Sequence, residues 1–150
     1  MSDKLPNIND SPWGAEELVS ELTTDEGLRL RLYTDTVGKV SIGVGRNLTD
    51  RGISHDEAGV MLLNDISLVV MQLDAQMSWW RTLDASRQRV MINLGFNMGV
   101  PTLATFGTFL DLMQKHDFPG AADDLQGTKW YDEVGERGPR TVARLLANAT

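Results

Sequence analysis

Apolar and polar residues alternate in the stretch "LRLRLYTDTVGKVSIGVG", which covers residues 28–45. A period of two is typical of β-strands that turn one face toward a core. The segment "TDTVGK" between the two alternating runs has the small and polar residues of a turn. The pattern predicts a small antiparallel hairpin or a three-stranded sheet at residues 29–48.

A helix is expected before this sheet. Ser11 and Pro12 are residue types that favour a helix start. Gly27 indicates the helix end, because glycine readily adopts the left-handed conformation that closes helices. Thr23 and Glu26 also match a capping box, so a helix that starts there is the alternative.

The longest amphipathic pattern begins at residue 54. Ser54 and Glu57 match a capping box, and apolar residues then recur at spacings of three and four. These apolar residues are Ala58, Leu62, Ile66, Val69, Leu73 and Met77. The pattern predicts one helix over residues 54–76, which at about 1.5 Å per residue is long enough to bridge two lobes.

The second half of the chain has helical periodicity. Nearly every helix face is apolar from Val90 to Met98, which predicts a buried helix. Shorter helices are expected after Pro101, at residues 105–115, 117–126 and 138–148. A small sheet near the N-terminus combined with these helices predicts an α+β fold with a segregated sheet.

Composition limits the kinds of function. At 150 residues the chain is long enough for one domain that buries about 68–70% of its unfolded surface. The formal net charge of −7 disfavours nucleic acid and anionic membranes as partners. Cysteine is absent, which excludes disulfides and thiolate catalysis, and two histidines, His55 and His116, are too few for a zinc site.

Signals for export or membrane insertion are not expected. No unbroken apolar run approaches the roughly 18–20 residues of a membrane span. The start of the chain, "MSDKLPNIND", lacks the basic and apolar segments of a signal peptide. Residues 1–12 are predicted to be a polar lead-in, followed by a single domain at residues 13–150.

Two acidic residues are candidate catalytic groups. Splitting a glycosidic bond requires one protonated carboxyl group for the leaving oxygen and one ionised carboxylate to assist water. Glu26, at a helix end and followed by apolar residues, has surroundings that favour the protonated form. Asp35 lies in a polar turn. The alternative is that Asp35 serves only the turn, because turn aspartates commonly accept backbone hydrogen bonds.

The remaining motifs are weaker. "GVGRNL" has two glycines of a dinucleotide-binding fingerprint but not the third, so its glycines are expected to permit a close backbone approach or a bulge. Trp79 and Trp80 are expected to close a core rather than to stack on sugar rings. Trp130 is the better candidate for sugar contact, because residues 128–150 carry four basic and three acidic side chains.

Five motifs together resemble one family. The chain resembles the T-even bacteriophage lysozymes, the endolysins of glycoside hydrolase family 24, over residues 15–147. The motifs, which occur in the order found in that family, are "DEGLRLRLYTDTVGKVSIGVG", "GISHDEA", "RVMINLGFNMG", "FLDLMQKHDFPGAADDL" and "KWYDEVGERGPRTV".

The resemblance implies a lysozyme-like α+β fold with two lobes and a cleft between them. The lobe with the small N-terminal antiparallel sheet is expected at residues 27–53. The mostly helical C-terminal lobe is expected at residues 77–150, together with the N-terminal helix. The long helix at residues 54–76 joins the two lobes in this scheme.

The resemblance also implies catalytic roles. Glu26 matches the general acid, Asp35 the second carboxylate, and Ser41 the hydroxyl residue that helps hold the attacking water. Family members usually have threonine where Ser41 stands. Arg46 replaces a common histidine, which implies the loss of a local ion pair. No metal or cofactor is implied.

A further set of residues is implied to bind the substrate. Arg137 matches an arginine that reaches the catalytic glutamate, and Phe96 and Met98 are core residues in the alternative interpretation. The substrate-binding candidates are Phe96, Asn97, Met98, Gly99, Thr108, Trp130 and Arg137.

The implied function is that of a phage endolysin. Such an enzyme hydrolyses, with inversion, the β-1,4 bond between N-acetylmuramic acid and N-acetylglucosamine in bacterial peptidoglycan and lyses the host. A lytic transglycosylase and a non-catalytic wall-binding module are the alternatives. A monomer is expected, with peptidoglycan as substrate, no nucleic acid and no stable membrane insertion. It would be made in the host cytoplasm and reach the wall or periplasm after a holin permeabilises the membrane.

Overall fold

The computed structural model describes residues 5–147 of the chain. These residues belong to two compact units, Met1–Ala58 and Gly59–Thr150, which we call the first unit and the second unit. The first unit contains helix α1 (Ala15–Glu26), a small sheet, and the start of helix α2 (His55–Gln76). The rest of α2 and all later elements belong to the second unit. The lobe boundaries expected from the sequence stay a prediction.

Helix α1 begins later than predicted. Ser11 lies in a turn, where its carbonyl accepts a hydrogen bond from the Gly14 N–H at 3.2 Å. Gly14 is the N-cap and has a φ of 70°, a left-handed conformation that interrupts the helix geometry between Pro12 and Ala15. The predicted helix end is confirmed, because Gly27 is the C-cap with a φ of 76°.

The predicted sheet is confirmed in its three-stranded form. Strands β1 (Arg29–Thr34), β2 (Val40–Gly43) and β3 (Arg46–Asn47) follow one another as antiparallel neighbours. Tyr33 lies opposite Ser41 in the first pair, and the register shifts between Arg29 and Tyr33. The alternating sequence therefore folds with an irregularity in β1 that periodicity does not reveal.

The capping box at the start of α2 is confirmed. The Ser54 N–H donates to Oε2 of Glu57 at 2.8 Å, and the Glu57 N–H donates to the Ser54 hydroxyl at 3.1 Å. Two N–H groups near the helix start are thereby satisfied by side-chain oxygens. The helix runs to Gln76, as the sequence predicts.

Helix α2 also corrects the expectation about membrane spans. Among residues 5–147 it is one helix long and apolar enough, by length and composition, to cross a membrane. Its apolar residues do not form an unbroken run, because α2 contains Asp65 and Asp74 among them. Mostly buried core helices of globular proteins meet the same criterion, but in α2 the buried residues are Val69 and Leu73.

The second unit is helical after α2. A short 3₁₀ helix (Ser78–Thr82) leads into α3 (Ala85–Met98). The later helices are α4 (Val100–Leu103), α5 (Gly107–Gln114), α6 (Phe118–Gln126), α7 (Lys129–Glu133) and α8 (Arg137–Leu146). Helices α5, α6 and α8 confirm the predicted short helices, but α4 and α7 were not predicted. They have four and five residues, too few for an apolar period to repeat.

A continuous apolar core lies within the second unit. Trp80 belongs to it and donates its indole N–H to Asp74 at 2.8 Å, which confirms the core interpretation of this tryptophan. The prediction that α3 is buried on every face is wrong, because Phe96 is 41% exposed. The core side chains are Val69, Leu73, Met77, Trp80, Leu83, Val90, Met91, Leu94, Val100, Leu103, Phe109, Met113, Ala121, Ala122, Leu125, Trp130, Val142 and Leu145.

A buried arginine joins α3 to the end of α8. Arg87 is 5% exposed, and its guanidinium donates to the carbonyl oxygens of Leu145 and Ala147. The last carbonyl groups of a helix have no partner within the helix. Arg87 supplies those partners from a neighbouring helix.

Candidate functional site

Glu26 lies at the C-terminal end of α1, directly before the residue that ends the helix. Its carboxylate packs against Gly45, in the turn between β2 and β3. A Cβ atom built on Gly45 would stand 2.8 Å from Oε2 of Glu26. The glycine therefore permits the close approach that its sequence predicted, and the partner that approaches is the predicted general acid.

Asp35 lies in the turn that joins β1 to β2. One of its carboxylate oxygens, Oδ1, accepts hydrogen bonds from the backbone N–H groups of Val37 and Lys39, at 2.9 and 2.8 Å. These bonds are those of an aspartate that stabilises a turn. They also fix the direction of the carboxylate, since both donors belong to the backbone.

Ser41 lies in the middle of the sheet and is 3% exposed. It stands opposite Tyr33 in β1 and opposite Asn47 in β3. The Asp35 N–H donates to the Lys39 carbonyl at 2.8 Å, which extends the β1–β2 pairing by one residue pair. Because side chains two residues apart share a face, Asp35 and Ser41 lie on the same face of the hairpin.

The three predicted catalytic residues thus belong to the first unit. Glu26 is placed by the end of a helix and a glycine turn, whereas Asp35 and Ser41 are placed by strand pairing. Two carboxyl groups on different supports can have different surroundings, which an acid and a second carboxylate require.

Arg46, which replaces the family's common histidine, forms an ion pair of its own. Its guanidinium forms a bidentate pair with the Glu57 carboxylate, with Nη1 at 2.8 Å from Oε2. This pair lowers the pKa of Glu57 to about 2, with a further contribution from the Ser54 N–H. Sequence reasoning had assigned Glu57 to the capping box alone, and it performs both functions.

Two of the predicted substrate-binding residues line one cavity of the second unit, which we call the arginine cavity. Phe96 and Arg137 contribute to its wall, and the cavity has a volume of about 420 Å³. Arg137 donates from Nε to Oδ1 of Asn93 at 3.2 Å, which orients its guanidinium. The lining residues are Leu62, Ile66, Arg89, Ile92, Asn93, Phe96 and Arg137.

Two others line a separate cavity of the second unit, which we call the tryptophan cavity. Thr108 and Trp130 contribute to its wall, and its volume is about 410 Å³. Trp130 is 9% exposed and donates its indole N–H to Oδ1 of Asn97 at 2.7 Å. The lining residues are Thr105, Phe106, Gly107, Thr108, Asp124, Thr128, Lys129 and Trp130.

The last three candidates, Asn97, Met98 and Gly99, lie where α3 ends. Met98 is partly buried and packs against the core, in line with its alternative interpretation. Gly99 has a φ of 85° and separates α3 from α4, so its place in the fold depends on its backbone.

Sequence reasoning missed several polar residues of the two cavities. Arg89 and Asn93 lie on the same helix as Phe96, seven and three residues before it, and line the arginine cavity with it. That helical spacing was a usable signal. Asp124 and Lys129 of the tryptophan cavity come from two helices, and no spacing connects them.

The described residues, 5–147, do not bring three or more histidine, aspartate or glutamate side chains together as a metal site.

Comparison with known proteins identifies one family. The family model described as phage lysozyme matches residues 23–147 of the chain. The match includes the first unit from the last turn of α1 onward and nearly all of the second unit. It therefore includes all ten predicted site residues.

Relatives come from a phage and from an amoeba. The pre-baseplate central spike protein Gp5 of Enterobacteria phage T4 is 28% identical, over 97% of this chain and 29% of that protein. Two probable T4-type lysozymes of Dictyostelium discoideum are 24% and 22% identical, each over 81% of this chain and 89% of the relative. The chain thus spans less than a third of the spike protein but most of either amoebal relative.

Proposed function

We propose, from the premise that this chain belongs to the phage lysozyme family, that it hydrolyses bacterial peptidoglycan. The family is one of lysozyme-type glycoside hydrolases. The bond we propose is the β-1,4 bond between N-acetylmuramic acid and N-acetylglucosamine.

Glu26 acts in this proposal as the general acid. It protonates the glycosidic oxygen while the bond breaks through an oxocarbenium-like state. Asp35 stabilises the developing positive charge and, with Ser41, aligns a water molecule on the opposite face of the sugar. The reaction inverts the anomeric configuration, for which two carboxyl groups stand about 6.5–9.5 Å apart to leave room for water.

The observation that carries the proposal is the contact between the Glu26 carboxylate and the glycine turn. Glu26 is an exposed residue at a helix end, and its carboxylate lies beside a backbone position that has no side chain. The contact lies in the same unit as Asp35 and Ser41, within the family match. A general acid requires a defined position of this kind.

The second unit supplies the substrate-binding residues of the proposal. We assign to the sugar chain Phe96 and Arg137 at the arginine cavity and Thr108 and Trp130 at the tryptophan cavity. Arg137 offers a cation for the carboxylates of peptidoglycan, and Trp130 offers the edge of an aromatic ring. Asn97, Met98 and Gly99, at the end of α3, are the remaining substrate-binding residues of the proposal.

We further propose that the protein is a phage endolysin that lyses the host cell as a monomer. It is made in the host cytoplasm and acts on the cell wall or periplasm once a holin has permeabilised the membrane. Similarity to enzymes named as lysozymes and to a phage protein supports this role.

The test compares Glu26→Gln with Glu21→Gln, an exposed glutamate of the same helix. Removing a general acid lowers the rate by about 10²–10⁴-fold. Clearing of purified peptidoglycan by Glu26→Gln is expected to fall by that factor, and clearing by Glu21→Gln is expected to match the wild type. Wild-type activity in Glu26→Gln would show that the catalytic assignment is wrong.

Product analysis decides between hydrolysis and transglycosylation. Mass spectrometry of the digest is expected to show reducing muramic acid ends, because water attacks the anomeric carbon. Anhydro ends alone would mean that the sugar's own hydroxyl attacks and that the chain is a lytic transglycosylase. Binding to peptidoglycan without any product would indicate the wall-binding module.

A further inference from the structure

The turn between β2 and β3 contacts the side chain of Glu26 through a single residue. Gly45 has a φ of +63°, and a Cβ atom built on it would stand 2.8 Å from Oε2, 3.1 Å from Cδ and 3.3 Å from Cγ of Glu26. Three consecutive side-chain atoms of Glu26 therefore lie over this one backbone position. The exposed carboxylate of Glu26 therefore lies directly beside the backbone of Gly45.

The residue after Gly45 is held from two sides. Arg46 pairs across the sheet with Ile42, and its guanidinium forms the bidentate pair with Glu57. Its Nη1 also donates to the Gly52 carbonyl at 3.3 Å. A planar guanidinium bound by two parallel hydrogen bonds has a fixed direction as well as a fixed distance.

The partner of Arg46 is itself anchored. Glu57 is part of the capping box with Ser54, so its carboxylate is fixed to the first turn of α2. A connected series of contacts thus runs from the start of α2 through Glu57 and Arg46 to the backbone of Gly45. The series ends at the Glu26 carboxylate, and all of its members lie in the first unit.

We propose that Arg46 is a positioning residue for Glu26: its pair with Glu57 fixes the β2–β3 turn, and Gly45 in that turn sets the place of the carboxylate. The proposal rests on the function assigned to Glu26 above. Its physical basis is that a catalytic group displaced by about 1 Å can lose about 10²-fold in rate. Arg46 touches no substrate in this scheme and acts through Gly45.

The first experiment removes the ion pair in two ways and measures hydrolysis of soluble, uncrosslinked peptidoglycan chains. Arg46→Met removes the cation. Glu57→Gln removes the charge but keeps a residue that can complete the capping box. Each variant is expected to lower kcat by about tenfold with KM within about twofold of the wild type, because the acid is displaced while substrate binding is kept.

The double variant tests whether both changes act through one contact. Arg46→Met combined with Glu57→Gln is expected to lower kcat no further than either single change, since both remove the same interaction. Arg46→Lys keeps the charge and loses the planar fork, so its kcat is expected to lie between those of the wild type and Arg46→Met. Asp50→Asn breaks another ion pair of the first unit, Lys39–Asp50, and is expected to leave kcat unchanged.

The second experiment compares two glycines that have a similar φ but a different contact. Gly43 has a φ of +69°, close to that of Gly45, but a Cβ atom on Gly43 would meet nothing within 4 Å. Both alanine variants place a side chain at a similar positive φ, and Gly45→Ala alone is expected to displace Glu26. Gly45→Ala is expected to lower kcat at least about tenfold more than Gly43→Ala.

The outcomes separate this inference from the proposed function. Wild-type kcat in a folded Glu57→Gln variant, beside an inactive Glu26→Gln variant, would overturn the inference and leave the function intact. Equal losses in Gly45→Ala and Gly43→Ala would also overturn it. If circular dichroism shows that Arg46→Met is unfolded, the inference is still tested by Glu57→Gln and by the comparison of Gly45→Ala with Gly43→Ala.

Discussion

Among the described residues of the first unit, only Ala15 and Ser41 are buried, whereas the second unit contains a continuous apolar core that includes Leu94, Phe109 and Leu125. The first unit is ordered by directional contacts: a capping box, an ion pair, backbone bonds to Asp35 and glycines at turns. The second unit is ordered by close packing of apolar side chains. Such packing does not depend on bond direction, but it responds to changes in side-chain volume. The catalytic candidates thus depend on single polar contacts, and the supporting helices depend on their core.

The largest expected effect on stability comes from comparing one leucine in each unit. Leu94 is fully buried in the second unit, and Leu30 is 79% exposed in the first. Leu94→Ala is expected to lower the free energy of unfolding by about 2–5 kcal/mol, because it removes buried methyl groups and leaves a cavity. Leu30→Ala is expected to change it by less than about 0.5 kcal/mol. Urea unfolding measures both, and equal losses would contradict the contrast.

A smaller effect is expected where the second unit relies on a polar contact. Arg87→Met leaves the carbonyl oxygens of Leu145 and Ala147 without their charged donor. The expected loss is about 1.5–3 kcal/mol, the range of hydrogen bonds to charged groups. Arg89→Met, an exposed arginine of the same helix, serves as the control and is expected to change stability by less than about 0.5 kcal/mol. If Arg89→Met lowers the free energy of unfolding as much as Arg87→Met does, the loss of stability is not caused by removal of the buried contact.

The ion pair of the first unit makes stability depend on pH. Arg46 and the Ser54 N–H lower the pKa of Glu57 from its ordinary value of 4.5 to about 2. The folded state therefore binds this proton less readily than the unfolded state, so the pair stabilises the fold fully above pH 4.5. This contribution is lost as the pH falls from 4.5 through about 2.

The measurement compares the melting temperatures of the wild type and Glu57→Gln across this range. The difference between them is expected to be largest above pH 5 or so and to shrink as Glu57 becomes protonated. The effect is moderate because solvent screens a pair at the surface. A difference that stays constant down to pH 2 would assign the stabilisation to something other than this charge.

The smallest effect is expected at a turn of the second unit. His116 has a φ of 60° just after α5, a conformation that costs most residues about 1–2 kcal/mol. His116→Gly removes this cost and is expected to stabilise the protein by about 0.5–1 kcal/mol, after the loss of the contact with Phe118. Lys115→Gly, at the preceding residue with a φ of −81°, is expected to destabilise the protein. If both glycine variants stabilise the protein, relief of the positive φ at His116 is not the cause.

Local signals in the sequence predicted much of the fold. The period of two located three strands, Gly27 located the end of α1, and Ser54 with Glu57 located the start of α2. Each of these features depends on residues within a few positions of one another. The start of α1 was misplaced because Gly14, not Ser11, supplies the cap.

The candidate site could be predicted only as a set of residues. Glu26, Asp35 and Ser41 were found from residue type, turn chemistry and family motifs. The seven substrate-binding candidates were found as one group, yet two of them line the arginine cavity and two line the tryptophan cavity. Sequence order does not reveal this division, since Phe96 and Asn97 are adjacent and their contacts lie on different helices.

The amino-acid sequence by itself determined the α+β class and the order of strands and long helices, because periods, caps and glycines act over one or two turns of chain; it also supplied two candidate carboxylates. Only the tertiary structure decided that Arg46 binds Glu57 and that Gly45 lies under the Glu26 carboxylate. Such contacts join residues 11 and more positions apart. They form where strand pairing and helix packing bring side chains together, and no local pattern records them.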